Sequence, residues 1–156
     1  LKLRLEEKNM PNHVSNEIRV VCNDEQTYDE FKKLVTGEDR EFDFDRIIPQ
    51  PDDINPDLDH NKKDFGHGLT TSTTDWYNWR LNNWGTKWNA YDVEIDWDEE
   101  YKECIEINFQ TAWSPPEPIY FKLDEIFGER ISVNWFCRDE SDNFCGYVHN
   151  QRYIDG

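Results

Sequence analysis

Residues 93–137 read VEIDWDEEYKECIEINFQTAWSPPEPIYFKLDEIFGERISVNWFC, and the fold is decided there. Val93, Ile95 and Trp97 alternate with Glu94, Asp96 and Asp98, and after a polar turn Ile105, Ile107, Phe109 and Thr111 alternate with Glu106, Asn108 and Gln110. Successive side chains of a strand point to opposite faces, so both runs are half-buried strands, and their short connection makes them a hairpin. Ser114-Pro115-Pro116-Glu117 then has the spacing of a reciprocal Ser/Glu cap with proline in the first turn, which predicts a helix start. Ile119, Leu123, Ile126 and Phe127 supply its apolar stripe and Gly128 its stop, after which Ile131, Val133, Trp135 and Cys137 define a further strand.

Working outward, Val14, Ile18, Val20 and Cys22 share one parity against Glu17 and Arg19, which predicts another half-buried strand. Asn23 and Gln26 stand at capping-box spacing, and Tyr28, Phe31, Leu34 and Val35 recur at helical intervals as far as Gly37, so a helix runs from about Asp24 to Thr36. Phe42 and Phe44 flank Asp43 as in a short strand, and the Pro- and Asp-rich stretch from Pro49 to Asp64 reads as a loop. Thr74 or Asp75 caps a helix whose face carries Tyr77, Leu81 and Trp84, widened by Trp76 and Trp79 and ended by Gly85. Phe144 to Val148 adds a last strand through a turn at Glu140–Asn143. The sum is an α+β ferredoxin-like sandwich, βαββαβ, in which helices cover one face of an antiparallel sheet and a helical insertion, about residues 42–90, precedes the central hairpin. Residues 1–9, LKLRLEEKN, read as a vector-derived or upstream extension whose alternating Leu1, Leu3 and Leu5 suit an edge strand, and residues 10–156 read as one domain.

Apolar residues make up only 36% of the 156, but aromatics reach 15%, so the core is expected to be built largely from rings. The charge of −17 is spread along the chain; it opposes phosphate backbones, which bind chiefly through Lys and Arg, and favours a protein partner with a basic surface. Direct nucleic-acid binding is therefore not expected. Cys22, Cys104, Cys137 and Cys145 form no CxxC pair and no leader-like segment is visible, which suggests a reduced, cytoplasmic setting. No apolar run approaches the ~20 residues of a membrane span.

Four stretches carry a family likeness: Met10-Pro11-Asn12-His13 with Val14 and Asn16; Phe42-Asp43-Phe44 leading to Ile47-Ile48-Pro49 and Pro51; Trp76-Tyr77 through Trp79-Arg80 to the run NWGTKWNAYD at 83–92; and Thr111-Ala112-Trp113-Ser114-Pro115-Pro116. From about Met10 to Phe136 the chain resembles the YubB ferredoxin-like family. The resemblance implies a ferredoxin-like fold without iron or flavin, in proteins carried by phages, plasmids and integrated elements, with no assigned activity. Four scattered cysteines likewise do not supply the closely spaced thiolates of an iron–sulfur cluster.

The densest constellation of side chains runs from Trp76 to Asp92. Trp76, Trp79, Arg80, Trp84, Lys87, Asn89 and Asp92, with Trp113 and His13, are the candidate binding residues, because aromatic faces beside Arg and Asn grip planar ligands and partner hot spots. The same rings also suit a purely structural role, pinning the inserted helix to the sheet while Arg80 and Lys87 pair with carboxylates. His13 reaches the sheet edge, facing Trp84 or Trp113, but has no identifiable partner for general-base work, and no catalytic residue is assigned. Asp53, Asn55, Asp57, Asp59 and Asp64 approach calcium-loop spacing, but Leu58 stands where the turn needs Gly and Asp64 where a Glu closes the site. Cys137, Cys145 and His149 lack a fourth zinc ligand, so no metal and no cofactor are expected. Two functions remain: a non-catalytic acidic interaction module of a mobile element, or a small-molecule or nucleotide site, binding or enzymatic, in a Trp/Arg/Asn pocket.

Overall fold

A computed structural model describes residues 12–54 and 73–148, with backbone alone for residues 73–75. Strand β1 (His13–Cys22) is the centre of a five-stranded sheet. Its inward parity, Val14, Asn16, Ile18, Val20 and Cys22, is buried, as the alternation predicts. Helix α1 (Glu25–Val35) follows, α2 (Phe44–Ile47) and a 3-10 turn (Asp52–Ile54) come next, and α3 (Thr73–Asn83) leads to β2 (Tyr91–Trp97). The hairpin partner β3 (Cys104–Ala112), helix α4 (Glu117–Phe127), a 3-10 turn (Gly128–Arg130), β4 (Ile131–Asp139) and β5 (Cys145–Tyr147) complete the order.

The strands lie in the order β2-β3-β1-β4-β5 and every neighbouring pair is antiparallel. β3 is thus inserted between β1 and β2, and β4 joins the other side of β1, which is the ferredoxin-like plan with β5 added outside it. Ile18 lies opposite Ile107 on one side and Trp135 on the other, so the three central strands bury one continuous apolar face. Rings from the helices meet that face: Phe31 of α1 and Phe127 of α4 are 5.6 Å apart, Tyr28 meets Trp97 at 6.0 Å, and Tyr120 meets Trp135 at 6.3 Å. Phe42, Phe44, Trp84, Phe109 and Trp135 continue the contact as a chain of rings with centroids 5.1–5.9 Å apart. A core this rich in aromatics closes despite the low apolar content, since each ring removes a large area from water.

Several local expectations are corrected. Phe42 and Phe44 do not mark a strand: Asp43 caps α2 by accepting from the Asp45 amide at 3.0 Å, and both rings are buried on either side of that cap. The cap of α1 is Asp24, which accepts from the Thr27 amide at 2.7 Å, whereas Gln26 turns to Glu30. α4 begins at Pro116 without a side-chain cap, because Ser114 Oγ donates instead to the Gly85 carbonyl at 2.5 Å. Arg80 of α3 and Trp84 just beyond its end are buried, and Leu81 is exposed; on α4 Ile126 is exposed while Ile119, Leu123 and Phe127 are buried. The proposed edge strand at Leu1–Leu5, most of the calcium-like spacing and His149 lie outside the described residues.

Candidate interaction surface

The Trp-rich segment is drawn together mainly by its own contacts. Arg80 is only 3% exposed; its guanidinium carbon lies 5.0 Å from the Trp76 ring and 4.8 Å from the Trp84 ring, and its Nε donates to Gln50 Oε1 at 2.9 Å. Trp84 is buried, donates Nε1–H to the Ile48 carbonyl at 2.9 Å and receives Trp79 edge-on at 5.6 Å. Asn89 is buried as well. Its Oδ1 accepts from the Phe44 and Ala90 amides and its Nδ2 donates to Asp43 at 2.7 Å, so it fastens α2 to the start of β2. Lys87 reaches over Trp88 at 5.0 Å and Tyr77 at 6.0 Å, while its carbonyl accepts from Arg80 at 3.4 Å. Arg80, Trp84 and Asn89 therefore spend their polar atoms on holding the insertion in place.

His13, Asp92 and Trp113 take no part in those bonds and ring contacts. His13 Nδ1 meets the Tyr91 hydroxyl rather than Trp84 or Trp113, and its backbone amide donates to Glu140 Oε1 at 2.9 Å. Burial, with Asp92 and Glu140 nearby, pushes the Tyr91 phenol up to about 12. Asp92 is exposed, with a φ of 51°, where the β2–β3 register shifts. Trp113 has a φ of 71° and is 52% exposed, so the chain leaves β3 through a left-handed residue that presents an indole to solvent. For a bulky side chain this backbone conformation is an outlier. Cys137 is buried and Cys145 exposed, and among the described residues no group of three His, Cys, Asp or Glu side chains is placed to hold a metal ion.

The surface that residue-by-residue reading misses is the sheet face opposite the helices. Its side chains are the outward parity of every strand, and the register sets them in rows. One row crosses all five strands as Glu94–Asn108–Glu17–Phe136–Tyr147, and beside it runs Asp96–Glu106–Arg19–Asn134. At the usual strand spacing the first row is roughly 19 Å long. Two shallow basins lie on this face, one of about 590 Å³ bounded by Glu17, Arg19, Glu106, Asn134, Phe136 and Tyr147, the other of about 300 Å³ towards Asp92 and Glu94. Among the described residues, five carboxylates, Glu17, Asp92, Glu94, Asp96 and Glu106, share it with two guanidinium groups, Arg19 and Arg138. Arg138 is engaged by Asp142 at 3.1 Å, and Arg19 donates to Cys104 Sγ at 3.4 Å, which with the nearby Glu106 raises its pKa further. Glu17, Glu94 and Asp96 form no ion pair among the described residues. The sequence signal was present in the polar parity of each strand, but only the strand order shows that these residues are neighbours.

The fold and this face define a ferredoxin-like α+β sandwich whose acidic sheet face carries no helix among the described residues. In keeping with that class, residues 84–152 match a family described as the ferredoxin-like domain in Api92-like protein. The match spans β2 to β5, and the structure adds β1 between β3 and β4. No curated protein and no solved structure matches the chain. Among the described residues, no helix is long and apolar enough to cross a membrane.

Proposed function

We propose that the chain is a non-catalytic acidic interaction module, an accessory protein of a mobile element, that docks a basic surface of a host or element protein on its open sheet face. The observation that carries this reading is the group of carboxylates on that face, three of them without an ion-pair partner among the described residues, in a molecule of net charge −17. Such a field steers and selects a positively charged partner and repels phosphate backbones. The mobile-element setting rests on the sequence resemblance alone. The competing pocket reading has less support, since Arg80, Trp84 and Asn89 are buried and bonded within the fold.

The test is retention of partner proteins from host lysate by the immobilised protein at low salt, with elution as salt screens the contact. Replacing Glu17, Glu94, Asp96 and Glu106 together by their amides is expected to abolish retention. The same change at Glu38, Asp39 and Glu41, which are exposed elsewhere, is expected to leave it intact. Equal retention by both variants would remove the sheet face from consideration. A thermal shift with a nucleotide or metabolite would instead favour a ligand site; a ligand at 100 times its Kd stabilises by about 2.7 kcal/mol.

A further inference from the structure

The acidic face is not uniform, and its asymmetry narrows the chemistry of what it docks. Towards β2 the row is a carboxylate and an amide, Glu94 and Asn108; towards β5 it is a pair of rings, Phe136 and Tyr147, with centroids 5.4 Å apart and planes at 70°. Glu17 stands between the two halves, directly opposite Asn108 on one side and Phe136 on the other. Directly opposed residues hold their Cβ atoms about 4.5–5.5 Å apart, so a group that meets the Glu17 carboxylate also meets the Phe136 ring. Asn134 and Asn108 border the same basin, and each side-chain amide has an oxygen that can accept a hydrogen bond.

Resting on the docking reading above, we infer that the centre of this face is an arginine-reading subsite for a basic segment of the partner protein. A guanidinium satisfies the whole arrangement at once: its planar fork donates two parallel hydrogen bonds to Glu17, its remaining N–H groups reach the asparagine oxygens, and its face stacks on Phe136. A lysine ammonium is a compact, strongly hydrated point charge that makes the ion contact and leaves the ring unused. Stacked bases of a single-stranded nucleic acid would also use the rings, but their phosphates would have to lie among Glu17, Glu94, Asp96 and Glu106.

The experiment compares hexa-arginine, hexa-lysine and a short single-stranded RNA as titrants of the intact protein at low ionic strength. Hexa-arginine is expected to bind about tenfold more tightly than hexa-lysine, and the RNA not at all. Glu17→Gln is expected to weaken both peptides, whereas Phe136→Leu weakens only hexa-arginine, by about tenfold, and Phe136→Tyr, which keeps the ring, restores it. Thermal melts of each variant confirm that the fold is retained. Equal affinity for the two peptides, or indifference of hexa-arginine to Phe136→Leu, overturns the arginine subsite and leaves the acidic docking face standing. Failure of both peptides to bind, or binding of the RNA, overturns the docking reading itself.

Discussion

Asn16 shows what a single residue settles in this fold. It occupies an inward position of β1 between Val14 and Ile18, 1% exposed, where alternation calls for an apolar side chain. Its Oδ1 accepts from Trp135 Nε1 at 2.9 Å, while its Nδ2 donates to Thr111 Oγ1 at 3.0 Å and to the Val14 carbonyl at 3.1 Å. One amide therefore satisfies polar groups from all three central strands and fixes their register. Asn16→Leu leaves the buried Trp135 indole N–H without its acceptor, which costs about 1–3 kcal/mol, whereas Thr111 Oγ1 keeps its bond to the Ser114 carbonyl at 2.8 Å. A loss of roughly 1–3 kcal/mol in denaturant melts is expected. Trp113 behaves oppositely. Its position where β3 hands over to α4 suggests a core anchor, but the ring is half in solvent. Trp113→Ala is expected to cost no more than about 1 kcal/mol in the same melts, because surface truncations rarely cost more.

At the end of α3 the inserted segment meets the sandwich in a set of close contacts. Gly85 closes that helix with a φ of 78°, its amide donating to the Arg80 carbonyl at 3.0 Å. A Cβ there would lie 2.7 Å from Cδ of Pro118 in α4, and the neighbouring Thr86 hydroxyl donates to the Ala112 carbonyl at 2.7 Å. Gly85→Ala therefore combines a left-handed backbone penalty with a clash between two packed elements. A loss of about 2 kcal/mol or more is expected, read by denaturant melts. The stop at Gly85 was legible, as were the hairpin, α4, β1 and β4, because strong periodicity and punctuation coincide there. The short α2 was not legible: Phe42-Asp43-Phe44 has the same spacing in a strand as around an N-cap. The structural role of Arg80 was only partly legible, since burial between two rings depends on how α3 rolls against Gln50 and Ile48. The acidic face was written in Glu17, Glu94, Asp96 and Glu106, yet its existence as one surface follows from strand order, which no local pattern encodes.

At the scale of the whole molecule, two opposing electrostatic effects set how stability responds to its surroundings. The ion pairs Lys32–Glu99, Arg130–Glu30 and Lys102 with Glu25 and Asp29 join separate elements, but all are solvent-exposed or nearly so. Exposed pairs contribute little, so self-repulsion from the net charge of −17 outweighs them. Added salt at neutral pH screens that repulsion within a Debye length of ~10 Å at 0.1 M and is expected to raise Tm. Lowering the pH from 7 towards the sequence pI of 4.5 is expected to act in the same direction at first, as carboxylates protonate. The gain then reverses. Asp24, held down by the Thr27 amide, and Glu30, held down chiefly by Arg130, have lowered pKa values, so their contribution is present above the ordinary carboxylate range and is lost as pH falls through the lowered values. On the alkaline side the sign is fixed by burial. Cys22 and Cys137 are pushed up from 9.0 to about 11, and Tyr28 and Tyr91 from 10.0 to about 12. The unfolded chain gives up these protons first, so their stabilisation is complete below pH 9.0 and is lost progressively as pH rises towards about 12. Calorimetric melts across pH at low and high salt test both statements: Tm rises with salt at pH 7, rises on mild acidification, and falls above about pH 9. A Tm that falls with salt at pH 7 would mean that the exposed ion pairs, and not the repulsion of the acidic surface, dominate.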